Sequence, residues 1–426
     1  MNATRTILGI VLVSMLNGLV WAARIPVDIP QEPYQLQHHT IRQPLNHSAP
    51  DGPSFEQHYD ILIPEGAPLD APIFYVYGNE SPATLESLEG AYRAYPRDVS
   101  VIFIQGEHRG YGQSISDDPD QSIPSYVRID EAHADTHRLI AELKREFTGP
   151  WIMAGYSYGG GMVIDFAAKY RDDVDAILSS SGVVDWPFEM STYDRQVRDT
   201  LGKETYTHLV GHMNNLQPEA DFDAAWFERE FIIAMVHGVV QMGSIQRMQG
   251  AFGEFTKLST PEFLEKLHGL DEVFGKGMAW QYAVSNAKPT LSREEKLTNE
   301  YDWRVWRYQQ CMETGVFEIS AVDSGIFTRS RADFCNECEA LFGGYQADGD
   351  RWSPRAALAR LTVPLVYVSG RKDPWEGLGI RADDDVPGMV YLRSPEGQHC
   401  PDRDDRVLAR KVFDALLKAA LSKPKP

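Results

Sequence analysis

Positive charge is scarce in this chain, cysteine is scarcer, and long apolar runs are nearly missing. Against 61 acidic residues stand 41 Lys and Arg, a formal net charge of −20. Such a surface repels phosphate backbones and anionic headgroups, which argues against nucleic acid and membranes as partners. Past the N-terminus no stretch is long and apolar enough to span a bilayer. No internal repeat is evident. Only four cysteines occur, Cys311, Cys335, Cys338 and Cys400, and three pairings exist if all are bridged. Cys335-Asn336-Glu337-Cys338 has C-x-x-C spacing, yet no thioredoxin-like strand and helix surround it. No second ligand pair stands near it to complete a zinc site. Disulfides in an oxidising compartment are the plainer reading, and neither a metal nor a cofactor is expected.

What is present is globular composition: 426 residues, 43% hydrophobic and 24% charged, enough for one large domain with an insertion or for two domains. Arg5, the apolar run Ile7 to Leu16, and Val20-Trp21-Ala22 have the order of a secretory signal peptide, residues 1–22. The expected destination is outside the cell, or a lysosome, vacuole or periplasm. Asn46-His47-Ser48 and Asn79-Glu80-Ser81 match the glycosylation acceptor pattern.

Strand signals alternate with helical ones through the first half of the chain. Residues 24–54 read as extended, Phe55 to Ile63 as an antiparallel edge strand, Pro72 to Tyr77 and Ser100 to Ile104 as buried strands, and 130–147 as a helix. Pro150 to Ala154 and Val174 to Gly182 are further strands. From about Trp186 to 354 strand signals vanish, and Met and aromatic residues recur at helical spacing (Phe231, Met235, Met242, Phe252, Trp280, Trp306), as in the core of a helical insertion. The strand signal returns at Leu361 to Gly370 and Val386 to Leu392, and 405–421 closes the chain as an amphipathic helix. The expected architecture is an α/β-hydrolase fold over 23–185 and 355–426 with a helical cap, 186–354, inserted between its halves.

The pattern that organises this reading is Gly155-Tyr156-Ser157-Tyr158-Gly159, set between a strand and a helix. That context marks a nucleophile elbow, in which small residues two positions either side relieve crowding. A serine there needs a base and an orienting acid, in the order Ser, Asp or Glu, His. His399 follows the last strand, and Asp373 follows the strand before it. Asp383, Asp384 and Asp385 are rival acids that read as a solvated turn. The oxyanion would take the N–H of Tyr158 and one from Gly78 or Asn79.

Gln43-Pro44-Leu45-Asn46-His47, Tyr77-Gly78-Asn79-Glu80, Glu107 to Ser114, the elbow, Trp306-Arg307-Tyr308-Gln309-Gln310-Cys311-Met312-Glu313, Asp373-Pro374-Trp375 and Gly397-Gln398-His399-Cys400-Pro401-Asp402 resemble the prolylcarboxypeptidase and dipeptidyl peptidase II family of serine peptidases. The resemblance implies hydrolysis of short peptides after proline, with Ser157, Asp373 and His399 as triad. It places Trp375 at a proline pocket, with Glu80, Gly161 and Val316 as further substrate-binding candidates, and implies a Cys311–Cys338 disulfide. Two departures stand out: Tyr156 replaces a glycine before the serine, and Gly161 replaces a methionine that walls the pocket. Glu107-His108-Arg109 reads as a buried ion pair bracing the sheet, in preference to a catalytic group. Aminopeptidase mode (Xaa-Pro dipeptides or tripeptides released) and carboxypeptidase mode both stay open, as does a homodimer. The alternatives are an esterase with the same triad and a non-catalytic binding module.

Overall fold

The computed structural model describes residues 34–95, 99–117, 124–187, 190–217, 224–241, 246–274, 291–315, 325–327, 330–345 and 352–422. The expected signal peptide, Val316, Met242 and Trp280 lie outside them.

β1 (Tyr34–Pro44) and β2 (Ser54–Pro64) form an antiparallel pair, in register from Tyr34 opposite Pro64 to Pro44 opposite Ser54. β1 carries Gln, His and Thr on a largely exposed strand. It lacks the apolar alternation that announces a strand in sequence, and its ladder with β2 makes it one. This corrects the expectation for β2, which is not an edge: it pairs antiparallel on its other side with β4 (Ile102–Gly106). β3 (Ile73–Val76), β5 (Trp151–Tyr156) and β6 (Ala176–Ser180) are buried at every position, as continuous apolar runs are in a sheet covered on both faces. α1 (Leu85–Ala94), α2 (Ile129–Leu143) and α3 (Tyr158–Lys169) connect them.

Between β6 and the next strand every described element is helical: α4 (Ser191–Leu201), α5 (Lys203–Asn215), α6 (Ala224–Gln241), α7 (Gln246–Phe255), α8 (Thr260–Phe274), α9 (Arg293–Lys296), α10 (Asn299–Gln309), a π-helical turn (Gln310–Thr314) and α11 (Arg331–Phe342). Cys311 in the π-helical turn is bonded to Cys338 in α11, and Cys335 and Cys400 are free. Then come α12 (Pro354–Leu358), β7 (Leu365–Gly370), β8 (Val390–Ser394) and α13 (Arg406–Ser422). β8 starts four residues later than the sequence suggests. Met389 N–H closes a turn on the Val386 carbonyl at 3.1 Å, and Gly388 sits at φ +72°.

The eight strands are ordered β1-β2-β4-β3-β5-β6-β7-β8, parallel from β4 through β8. Strand side chains alternate between two layers. Phe74, Val76, Ile152 and Leu178 pack against α1 and α13, while Ile73, Tyr75, Met153 and Ile177 pack against α2, α3 and α12. This is the α/β-hydrolase fold. The helical segment has its own core, including Val197, Leu209, Phe231, Val236, Phe252 and Phe263, which continues into Val183 and Leu378 of the sheet domain. The chain passes from β3 to β4 on one side, then crosses from β4 through α2 to β5 on the other side of β3. The crevice at the carboxyl ends of β3 and β5 is therefore the switch point where open α/β sheets gather ligands. No helix among the described residues is long and apolar enough to cross a membrane.

Candidate active site

Ser157 stands at that crevice, between the last residue of β5 and the first of α3, at φ +56° and ψ −123°. Among the described residues only Ser157, Ser181 and Cys400 are non-glycine with positive φ, and all three meet here. Strained backbone of this kind persists where surrounding bonds over-determine it. Ser157 N–H donates to the Ser180 carbonyl at 3.0 Å, and Gly160 N–H to the Ser157 carbonyl at 2.9 Å. The expected crowding falls unevenly. A Cβ on Gly155 would lie 2.0 Å from the Gly159 carbonyl oxygen, and one on Gly160 2.5 Å from Gly182 Cα. One on Gly159 would meet nothing nearer than Asn79 Cβ at 3.5 Å, so the second pattern glycine is not needed for space.

Asp373 leaves the end of β7 and His399 the loop after β8. Asp373 Oδ2 lies 2.8 Å from His399 Nδ1, and Asp373 Oδ1 accepts Trp375 N–H at 3.0 Å. The two side chains are 1% and 5% exposed. Burial works against a charged imidazole, but the Asp373 charge and the adjacent Cys400 thiol prevail and hold His399 well above its ordinary value. His399 Nε2 is buried without a hydrogen-bond partner, so it is not bonded to Ser157 in this structure. Their neighbourhood is set by the Ser180 carbonyl, which takes Ser157 N–H and lies 3.5 Å from Cys400 Sγ. Catalytic hydrogen bonds are often open before substrate arrives. Of the rival acids, Asp384 is held by Arg355 and by Arg381 N–H, and Asp383 and Asp385 are exposed.

Tyr77 N–H donates to the Ala154 carbonyl at 2.8 Å, which brings the Gly78-Asn79-Glu80 loop beside the elbow. A Cβ on Gly78 would lie 2.5 Å from His108 N, and Asn79 Oδ1 accepts Ser81 Oγ–H at 2.7 Å. Glu80 is half-buried, with Oε2 shielded from solvent and unpaired. Burial pushes its carboxyl up to about 7, and His399 opposes that rise. Trp375 is half-buried, its ring 4.7 Å from that of Tyr193 in α4. Gly161 faces the Val183 carbonyl (2.6 Å from an added Cβ), Trp352 (3.2 Å) and Pro354 (3.3 Å). Trp352 thus fills the room a larger residue at 161 would need.

Three features of the site are absent from the sequence reading. Arg109 does form a buried ion pair, but its partner is Asp135 of α2, bonded twice at 2.6 Å. Glu107 instead accepts four donors, from Ala83, Gln113 and twice from Ser114. Gln309 joins Tyr111 OH (2.6 Å) to Tyr158 OH (3.0 Å); the Trp-x-Tyr-Gln run flagged its position without its task. The end of α6 grips the histidine loop, with Gln398 Nε2 donating to the Val240 carbonyl at 2.9 Å and His399 N–H to that of Gln241 at 3.2 Å. No short motif records such a long-range contact.

A family model described as serine carboxypeptidase S28 matches residues 54–212. The chain is 28% identical over 432 residues to a prolyl tri/tetrapeptidyl aminopeptidase of Streptomyces mobaraensis, covering 92% of this chain and 80% of that one. It is 24% identical over 389 residues to a probable serine protease EDA2 of Arabidopsis thaliana (79% and 74% covered). It is 23% identical over 358 residues to a lysosomal Pro-X carboxypeptidase of Pongo abelii (71% and 69% covered).

Proposed function

We propose that this chain, a serine-type peptidase by its similarity to the serine carboxypeptidase S28 model and to the relatives named above, is an exported exopeptidase of that family cleaving short peptides after proline through Ser157, Asp373 and His399. The observation that carries the reading is the buried 2.8 Å Asp373–His399 pair beside a strained elbow serine. Asp373 holds the His399 tautomer with its proton on Nδ1, which leaves Nε2 free to accept from Ser157 Oγ. Ser157 then attacks the scissile carbonyl. The N–H groups of Tyr158 and of Gly78 or Asn79 receive the oxyanion. His399 returns the proton to the leaving amine, and water releases the acyl-enzyme by the same steps in reverse.

Trp375 offers an apolar ring face to the proline. Glu80 carries an unpaired, shielded oxygen near His399, which suits a substrate ammonium and favours the aminopeptidase mode. The segment 186–354, whose described elements are helical, acts as a cap that limits access to short chains, and residues 1–22 direct export. The test sets Xaa-Pro chromogenic substrates beside N-blocked peptides ending in Pro-Xaa, on wild type and Ser157→Ala. The expected result is cleavage of the free-amine substrates and a loss of at least about a thousandfold in the variant. Turnover of nitrophenyl esters alone would select an esterase. Failure of a fluorophosphonate to label the wild-type protein would leave a binding module.

A further inference from the structure

Asp402 is a buried acid with no part in the steps above. It is 1% exposed and lies three residues beyond His399, in a short 3-10 turn (Pro401–Arg403). Two hydroxyls bind it directly, and a third reaches it through one of them. Ser180 Oγ, at the end of β6, donates to Oδ1. Tyr95 OH, just past α1, donates to Oδ2 at 2.9 Å. Tyr156 OH, on the residue preceding Ser157, lies 3.0 Å from Tyr95 OH. A tyrosine has one hydroxyl proton, and Tyr95 gives its proton to the carboxylate, so Tyr156 donates to Tyr95. The Arg403 guanidinium lies 4.7 Å over the Tyr156 ring and adds a second tie between the same two segments.

The upper side of the same junction is fixed from β6. The Ser180 carbonyl takes the N–H of Ser157, and Ser181 Oγ takes the N–H of Cys400 at 2.8 Å. Ser157, Ser181 and Cys400 all hold positive φ, conformations that relax unless neighbouring bonds maintain them. Tyr156 supplies a link that a residue without a hydroxyl at this position cannot make.

We infer that Asp402, acting through Tyr95 and Tyr156, is a positioning residue that sets the His399 loop against the Ser157 elbow; the inference rests on the triad reading given above. The network sits beneath the reacting atoms and touches no substrate, so its loss acts on the chemical step and not on binding. Asp402→Asn keeps the shape but replaces one acceptor with a donor, so either Tyr95 or Ser180 loses its acceptor. The expected result is a kcat at least about tenfold lower with KM within about twofold, and fluorophosphonate labelling of Ser157 slowed by the same factor. Tyr156→Phe keeps the ring under Arg403 and lowers kcat by about three- to tenfold. The double variant is no worse than Asp402→Asn alone, since both cut one chain of bonds.

Rates are measured about 20 °C below each variant's own Tm, so that instability does not pass for misalignment. Unchanged kcat in both variants overturns the inference. So do losses carried by KM, or additive losses in the double variant. Where Asp402→Asn does not fold, Tyr156→Phe decides alone, and an unchanged kcat refutes. The triad reading fails separately, if Ser157→Ala or His399→Ala keeps its activity whatever the Asp402 variants do.

Discussion

Asp373→Asn separates a catalytic histidine–carboxylate pair from a merely structural one. An asparagine here has two orientations, and Trp375 chooses between them. Its N–H donates to the position of Oδ1 at 3.0 Å, so the amide oxygen stays there and the NH2 group turns toward His399 Nδ1. The ring then accepts at Nδ1 and carries its proton on Nε2, the wrong tautomer for taking a proton from Ser157. Reversing the amide would set two donors face to face at Trp375, at a cost of about 1–3 kcal/mol for a buried unsatisfied group. The carboxylate charge that stabilises the imidazolium is lost as well, about 4 kcal/mol for charges about 4 Å apart at an effective dielectric of about 20. Together these come to about 5–7 kcal/mol, or about four to five decades in kcat. The assay is kcat on an Xaa-Pro chromogenic substrate, with circular dichroism to verify the fold. A folded Asp373→Asn protein keeping more than about a tenth of wild-type kcat would refute the pairing, as would an equal loss from Asp384→Asn.

Glu80→Gln should raise KM for free-amine substrates by about 10–100-fold, the worth of one charge-assisted hydrogen bond, and leave N-blocked peptides unaffected; equal effects on both would remove the ammonium role. The same variant should lower the acid-limb pKa of kcat/KM, since Glu80 and His399 interact; an unmoved limb would speak against that proximity. Gly155→Ala should abolish folding or activity while Gly159→Ala retains most of it, given contacts of 2.0 Å and 3.5 Å at the two sites; expression yield and kcat decide. Thermal stability should fall as pH rises from about 4.5 to about 7. Burial pushes the carboxyls of Glu80, Glu107 and Glu313 up to about 7, so the native state keeps protons that the unfolded chain has released, and stability declines with pH across that window. His399, also raised, adds the same slope above its unfolded value near 6.5. Calorimetry from pH 4.5 to 8 giving a flat or rising Tm would contradict this.

Much of the sheet could be read in advance because β3, β4, β5, β6 and β7 open on apolar runs, and burial on both faces demands that composition. β1 could not, since its exposed Gln and His residues carry no alternation and only the ladder to β2 makes it a strand. The elbow was legible because strand, glycines, serine and helix are consecutive. The Asp135 partner of Arg109, 26 residues away, left no local trace, and the occupation of the space at Gly161 by Trp352 left none either.

Residue order by itself determined the fold class, the elbow and the set of acids from which His399 could draw, since local pattern and chain order carry that information. Sequence order already favoured Asp373 over Asp384, and the tertiary structure sets it 2.8 Å from the imidazole. Tertiary structure alone set the end of α6 against the histidine loop, and joined Tyr156 to Asp402 across 246 positions through Tyr95. The reason is physical. Hydrogen bonds between distant segments depend on how twisted strands and packed helices bring their ends together, and no stretch of sequence encodes that separation on its own.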